Sequence, residues 1–90
     1  MQAAVFDTYV PTRQGGTMHF DIVVPQGTSF ELVSTYGKTY LMGKGQSGQP
    51  LSSNECRFCH IENANTEMEM AFEAQGYFII EMEGCDLPLV

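Results

Sequence analysis

The sequence predicts a single α+β domain, a two-layer sandwich in which about four mixed or antiparallel strands carry two helices on one face. Several short segments alternate apolar with polar residues and are rich in β-branched and aromatic residues, a pattern typical of strands. Two other segments begin with the Thr-x-x-Glu signal of a helix start. The segments follow in the order ββαβαβ, and 90 residues of which 43% are hydrophobic can build one modest core.

The first two elements are predicted to form a β-hairpin. Residues 4–10 and 17–24 alternate in the manner of strands, and Pro11 and two glycines flank the short connection between them. Side chains of a strand point alternately to its two faces. The core face of the second strand therefore carries Met18, Phe20, Ile22 and Val24. The opposite face of the hairpin carries Asp7, Tyr9, His19 and Asp21.

Two capping boxes predict the helices. Thr28 and Glu31 would begin a helix over residues 29–42, and Thr66 and Glu69 would begin a second helix over residues 66–75. A glycine directly after the second segment is a typical helix stop. We expect one core shared by both helices and the sheet, centred on Phe20, Ile22, Phe72, Phe78 and Ile80.

The remaining segments complete the predicted order. Residues 43–54 are rich in Gly, Ser and Gln and offer only Leu51 for burial, so we predict a flexible loop. Residues 56–62 read as a short third strand, and residues 77–83 as the fourth. Residues 84–90 are predicted to form a tail.

Charge and composition exclude several classes of function. The net charge is −7, and the scattered basic residues form no stripe that could neutralise phosphates, so we expect neither nucleic acid nor a membrane surface as a partner. No segment has the pattern of a signal peptide or of a membrane span. We therefore predict a cytoplasmic protein, in which three cysteines argue against a disulfide framework.

Four motifs along the chain carry a resemblance to a known family. They are "VFDTYV", "MHFD", "ECRFCH" and "GYFIIEMEGC", in that order. In these motifs the chain resembles a small, uncharacterised bacterial family, the domain of unknown function 2024, over residues 4–85. The resemblance implies a compact α+β domain that stands alone as a short protein, and it implies no particular reaction.

Cys56, Cys59 and His60 form a Cys-x-x-Cys-His motif that fits several kinds of chemistry. Haem attachment is disfavoured because it belongs to exported proteins, and a catalytic redox pair is disfavoured because no helix begins at the first cysteine. A structural zinc site could recruit Cys85, or His19, as a further ligand. Zinc would need a turn at this motif, since a regular strand points the two thiols to opposite faces. The favoured interpretation is that the cysteines are small buried hydrophobic residues.

The hairpin face is the second candidate site. His19 flanked by Asp7 and Asp21 could act as a general base or as a metal ligand, although the simpler interpretation is the solvated face of an antiparallel sheet. The same open face could be covered by a second copy of the chain, which would give a homodimer. The exposed apolar residues that suggest this are Tyr9, Tyr77 and Ile79.

These observations favour a small acidic binding or accessory module, with a structural metal at Cys56, Cys59, His60 and Cys85 as its candidate chemistry. The alternative is a small enzyme that uses His19 with Asp7 or Asp21. Zinc is the cofactor that the sequence suggests. The sequence identifies neither a substrate nor a partner.

Overall fold

A computed structural model describes residues 1–86 as a four-stranded antiparallel sheet with two α-helices and one short 3-10 turn. The predicted α+β class and the order ββαβαβ are confirmed. The sheet order is β3-β1-β2-β4. In chain order the elements are β1 (Ala3–Pro11), β2 (Thr17–Pro25), α1 (Phe30–Gly43), β3 (Ser52–Glu55), the 3-10 turn (Arg57–Cys59), α2 (Thr66–Gln75) and β4 (Phe78–Glu83).

The β1–β2 hairpin forms the centre of the sheet. Its register runs without interruption from Ala3 opposite Pro25 to Pro11 opposite Thr17. β3 pairs with the free side of β1, and β4 pairs with the free side of β2. The two short strands therefore lie at opposite edges of the sheet.

The two helices pack on opposite faces of the sheet, not on one face as predicted. α1 covers a core formed by alternate hairpin residues, which are Ala4, Phe6, Val10, Met18, Phe20, Ile22 and Val24. α2 covers a second, smaller cluster on the other face, built on Ala3, Val5 and Val23. Both faces need cover because the hairpin also carries apolar residues at the positions that point away from α1.

The predicted single core is therefore divided between the two faces. Phe20 and Ile22 lie fully buried under α1, whereas Phe72, Phe78 and Ile80 are partly buried on the α2 face. Two residues that the sequence placed on the open face also lie on the α1 side. They are Tyr77, which is buried, and Ile79, which is partly buried.

α1 begins one residue later than its predicted cap. Its N-cap is Ser29, whose side chain accepts a hydrogen bond from the Leu32 amide at 3.2 Å, while Thr28 donates to the Pro25 carbonyl. The buried residues Val33, Gly37 and Leu41 are spaced four apart. This spacing places them on one face of the helix, toward the sheet.

α2 follows its predicted range but is capped by Asn65, not by Thr66. The Asn65 side chain accepts a hydrogen bond from the Met68 amide at 2.8 Å. Gly76 ends the helix in the left-handed conformation with φ 95°, as the sequence predicted. None of the ten residues of α2 is fully buried, so this helix is held less firmly than α1.

The segment predicted as a flexible loop contains more structure than its composition indicates. It includes most of β3, and it buries Gln46 completely. The Gln46 side chain accepts from the Arg13 amide at 2.9 Å and donates to Gln14 at 3.0 Å. The expectation that only Leu51 would be buried is wrong, because a glutamine can be buried once both ends of its amide are paired.

The third strand also differs from its prediction. β3 lies just before the cysteine motif, and the motif itself forms the 3-10 turn. Cys85, at the start of the predicted tail, is buried. The rest of the tail, residues 87–90, lies outside the described residues.

Candidate functional site

Asp7, His19 and Asp21 form a polar cluster on the α2 face of the sheet, beyond the residues that α2 covers. The hairpin register brings them together, because Asp7 lies opposite Asp21 and Tyr9 lies opposite His19. One potential ligand atom from each of the three side chains lies within 4.8 Å of the other two. In the part of the chain that the structure describes, this is the group of histidine, cysteine and carboxylate residues that could hold a metal ion.

Two contacts orient the His19 ring. Its imidazole stacks on the ring of Tyr9, with centroids 4.2 Å apart and planes 7° from parallel. Its Nε2 lies 2.5 Å from Oδ1 of Asp7. The side chains of His19 and Asp7 are 22% and 40% exposed. The pair is therefore positioned by the protein and still open to solvent.

Asp21 is the buried member of the cluster, with 7% of its surface exposed. Burial raises the pKa of this carboxyl above its usual value, and the neighbouring Asp7 raises it further through its charge and a shared hydrogen bond. The charge of His19 lowers the pKa of Asp21. The negative charge of Asp21 is therefore costly at neutral pH, and a proton or a metal cation at this position would relieve that cost.

The cluster lies among the strands of the sheet, with Asp7 and His19 partly exposed and Asp21 buried. Asp21 is paired with Ile80 on β4, and Asp7 is paired with Asn54 on β3. Four cavities of about 290 to 570 Å³ in the described part of the chain are lined by other residues. Tyr9 lines one of them, of about 330 Å³.

The predicted ligands in the cysteine motif adopt a different arrangement. Cys56 and Cys59 are joined in a disulfide, with Cα atoms 5.2 Å apart. The turn that a zinc site would need is present, but the two sulfur atoms are bonded to each other. The expectation of no disulfide is therefore wrong for this pair, and Cys59 is exposed rather than buried.

Cys85 does not join the two bonded cysteines, whereas His60 directly follows Cys59 in the chain. Cys85 carries a free, buried thiol whose Sγ lies 3.6 Å from the His19 carbonyl oxygen, beside β2 and β4. Cys56 directly follows β3, which lies at the opposite edge of the sheet from β4. Nε2 of His60 lies 3.4 Å from Oε1 of Glu62. The four-ligand site predicted from Cys56, Cys59, His60 and Cys85 is thus not assembled, because Cys56 and Cys59 are bonded to each other and the strand order separates Cys85 from them.

A second polar network, which the sequence analysis missed, links α1 to β4. Glu81 lies 2.7 Å from Nζ of Lys44 and accepts a hydrogen bond from the Tyr40 hydroxyl. These two hydrogen bonds lower the pKa of Glu81, while burial and the bond to Glu81 raise the pKa of Tyr40. Lys44 also donates to the Cys85 carbonyl at 3.1 Å. In sequence, the only signal is the four-residue spacing of Tyr40 and Lys44 at the end of α1.

The family model for the domain of unknown function DUF2024 matches residues 1–82. The chain belongs to the DUF2024 family. This DUF2024 protein is similar to the NMR structure of protein NE1680 from Nitrosomonas europaea, a structural-genomics target. The two are 34% identical with a TM-score of 0.77, and the match covers 96% of this chain and 100% of the other. Among curated proteins, none is significantly similar to the chain.

The sequence was predicted to contain no membrane span. Within residues 1–86, neither helix has the length and apolar character that are needed to cross a bilayer.

Proposed function

We propose that this DUF2024 protein is a binding module for a divalent metal cation, and that Asp7, His19 and Asp21 are its ligands. The observation that carries the proposal is the convergence of one imidazole and two carboxylates, whose ligand atoms lie within 4.8 Å of one another. A metal with bonds of about 2.1 Å needs its ligand atoms about 3–4 Å apart, so small side-chain rotations suffice to close the site.

The ligand types define the class of metal. Imidazole nitrogen suits zinc and the other late first-row metals, manganese also accepts carboxylate oxygens, and magnesium prefers oxygen ligands and keeps most of its water. Three protein ligands at this partly exposed site leave further coordination positions for water or for a ligand from a partner. We therefore expect Zn²⁺ and Mn²⁺ to bind more tightly than Mg²⁺.

The electrostatics of Asp21 support the same proposal. The pKa of this carboxyl is raised by burial and by Asp7, so it competes for protons more strongly than an exposed carboxyl. A cation must compete with protons for this carboxyl and must also replace the hydrogen bond between His19 and Asp7. Cation affinity should therefore fall as the pH is lowered.

Calorimetric titration of the protein with Zn²⁺, Mn²⁺ and Mg²⁺ tests the proposal. We expect one Zn²⁺ per chain, and His19→Gln should abolish the binding. His60→Gln is the matched control, because it removes the other of the two histidines and should leave binding unchanged. Equal loss in both variants, or no heat in the wild type, would contradict the proposal.

The alternative function is an enzyme that uses His19 as a general base. The stacking on Tyr9 and the contact with Asp7 favour it, because a catalytic base needs a fixed orientation. Small-molecule enzymes usually place such a base in a concave pocket, and the four cavities described above are lined by residues other than His19, Asp7 and Asp21. We therefore place the binding module first, as a small acidic cytoplasmic protein in which a second copy or another partner could complete the metal coordination.

A further inference from the structure

We propose that the Cys56–Cys59 disulfide is a thiol–disulfide exchange site, reduced by a thiol of the glutathione type or by a protein dithiol. The proposal is independent of the metal site. It depends on three features of the motif, which are the local character of the disulfide, the exposure of Cys59, and an aromatic ring beside it.

The disulfide does not hold elements of the fold together. It closes a ring around only two intervening residues, and a disulfide stabilises a fold less when the loop that it closes is short. Backbone hydrogen bonds already hold both sides of the turn. The Cys56 amide donates to the Val5 carbonyl at 2.8 Å, and Ala3 and Ile61 exchange two bonds of 2.9 and 3.0 Å. Reduction would therefore leave the sheet intact.

Access to the disulfide is directional. Cys59 is exposed, whereas Cys56 is half-buried against the end of β3. An incoming thiolate therefore attacks Sγ of Cys59, the Cys59–Cys56 bond breaks, and Cys56 leaves as a thiolate. A second thiol of the reductant then attacks the sulfur of the first, and Cys59 is released. The net reaction consumes two thiols, forms one disulfide in the reductant, and leaves Cys56 and Cys59 as a dithiol.

Phe58 stands between the two cysteines with its side chain fully exposed. The ring does not contribute to the core, and such an exposed aromatic beside a reactive sulfur gives a protein reductant an apolar contact. A small thiol would not need this contact. Phe58 therefore allows the two sources of the thiol to be distinguished.

The test equilibrates the folded protein with reduced and oxidised glutathione at several ratios, traps free thiols with a maleimide, and locates them by mass spectrometry. We expect Cys56 and Cys59 to gain two labels together as the ratio becomes reducing, with circular dichroism unchanged. A pair that stays oxidised in excess reduced glutathione until denaturant is added would overturn the proposal. So would a pair that stays reduced in excess oxidised glutathione.

Reduced thioredoxin serves as the protein dithiol in the second arm. If the physiological source is a protein, Phe58→Ala should slow reduction by thioredoxin severalfold and leave reduction by glutathione unchanged. Met70→Ala is the matched control, since Met70 is also exposed but lies on α2. An equal rate for wild type and Phe58→Ala with both reductants identifies a small thiol as the source. No reaction with either reductant overturns the proposal.

Discussion

The two faces of the sheet differ in how completely they are covered. On the α1 face, the core includes residues with no exposed surface on both hairpin strands, among them Val10, Met18 and Phe20. On the α2 face, full burial is limited to Ala3, Val5 and Val23, and the helix above them has no fully buried residue. The α1 face therefore buries more apolar side chains, and the α2 face has room for polar side chains.

The difference explains why a buried carboxylate is tolerated where it is. Asp21 lies at the point where the cover of α2 ends, next to the half-exposed Asp7 and His19. Under the middle of α1, the same carboxylate would lie among mainly apolar side chains such as Met18, Phe20 and Ile22, and an unpaired buried charge costs several kcal/mol at that kind of position. The hairpin therefore accommodates a carboxylate more readily on the face that α2 leaves partly open.

The largest effect expected from this comparison is an unequal response to removal of one aromatic ring on each face. Phe20→Ala should cost about 3–5 kcal/mol, because the ring is completely buried under α1. Phe72→Ala should cost clearly less, since that ring is only partly buried. Urea unfolding of the two variants measures both costs. Equal losses would show that the two faces contribute equally to the free energy of unfolding, which would contradict the difference between them.

A smaller effect is expected from the helix caps. Ser29→Ala and Asn65→Ala each remove a side chain that accepts an amide hydrogen bond, and such a loss costs about 1 kcal/mol. Amide exchange should show that Asn65→Ala speeds opening of α2 alone, because we expect a helix with no fully buried residue to open before the whole domain unfolds. Ser29→Ala should lower the global stability instead. Faster exchange throughout the protein in Asn65→Ala would contradict the difference between the helices.

The smallest effect concerns the charge of Asp21. Its pKa is raised in the folded protein, so the carboxyl favours folding below its unfolded pKa, and this contribution is lost as the pH rises through the folded pKa. Asp21→Asn should therefore melt at a higher temperature than wild type at neutral pH. The advantage should shrink as the pH falls toward 4, near the ordinary value of 3.8.

Thermal melting at several pH values checks this prediction. Asp86→Asn, at an exposed position, is the control and should follow the wild type at every pH. A lower melting temperature for Asp21→Asn at neutral pH would mean that the ionised carboxylate stabilises the fold.

Local patterns in the sequence predicted the elements well. The hairpin alternation placed Asp7, His19 and Asp21 on one face, and Gly76 marked the end of α2. Both caps were predicted within one residue, because Ser29 and Asn65 each stand next to a threonine that can also cap a helix. Such neighbours compete for the same amides, and the backbone geometry that decides between them is not visible in a sequence.

The relations between elements were harder to predict. The sequence could not show that β3 and β4 lie at opposite edges, and this order separates Cys85 from Cys56. The position of α2 on the second face could have been suspected from the uninterrupted apolar pair Val23 and Val24, since adjacent strand residues point to opposite faces. The burial of Gln46 depends on partners more than thirty residues away.

The most direct test of the account follows the ring nitrogens of the two histidines by NMR while Zn²⁺ is added. His19 lies in the proposed site, and His60 lies beside the disulfide, so one spectrum compares the two regions. We predict that the ring signals of His19 shift until one equivalent is bound, that His60 stays unchanged, and that Asp21→Asn removes the response. A response at His60 first, or at neither ring, would contradict the metal site on the open face.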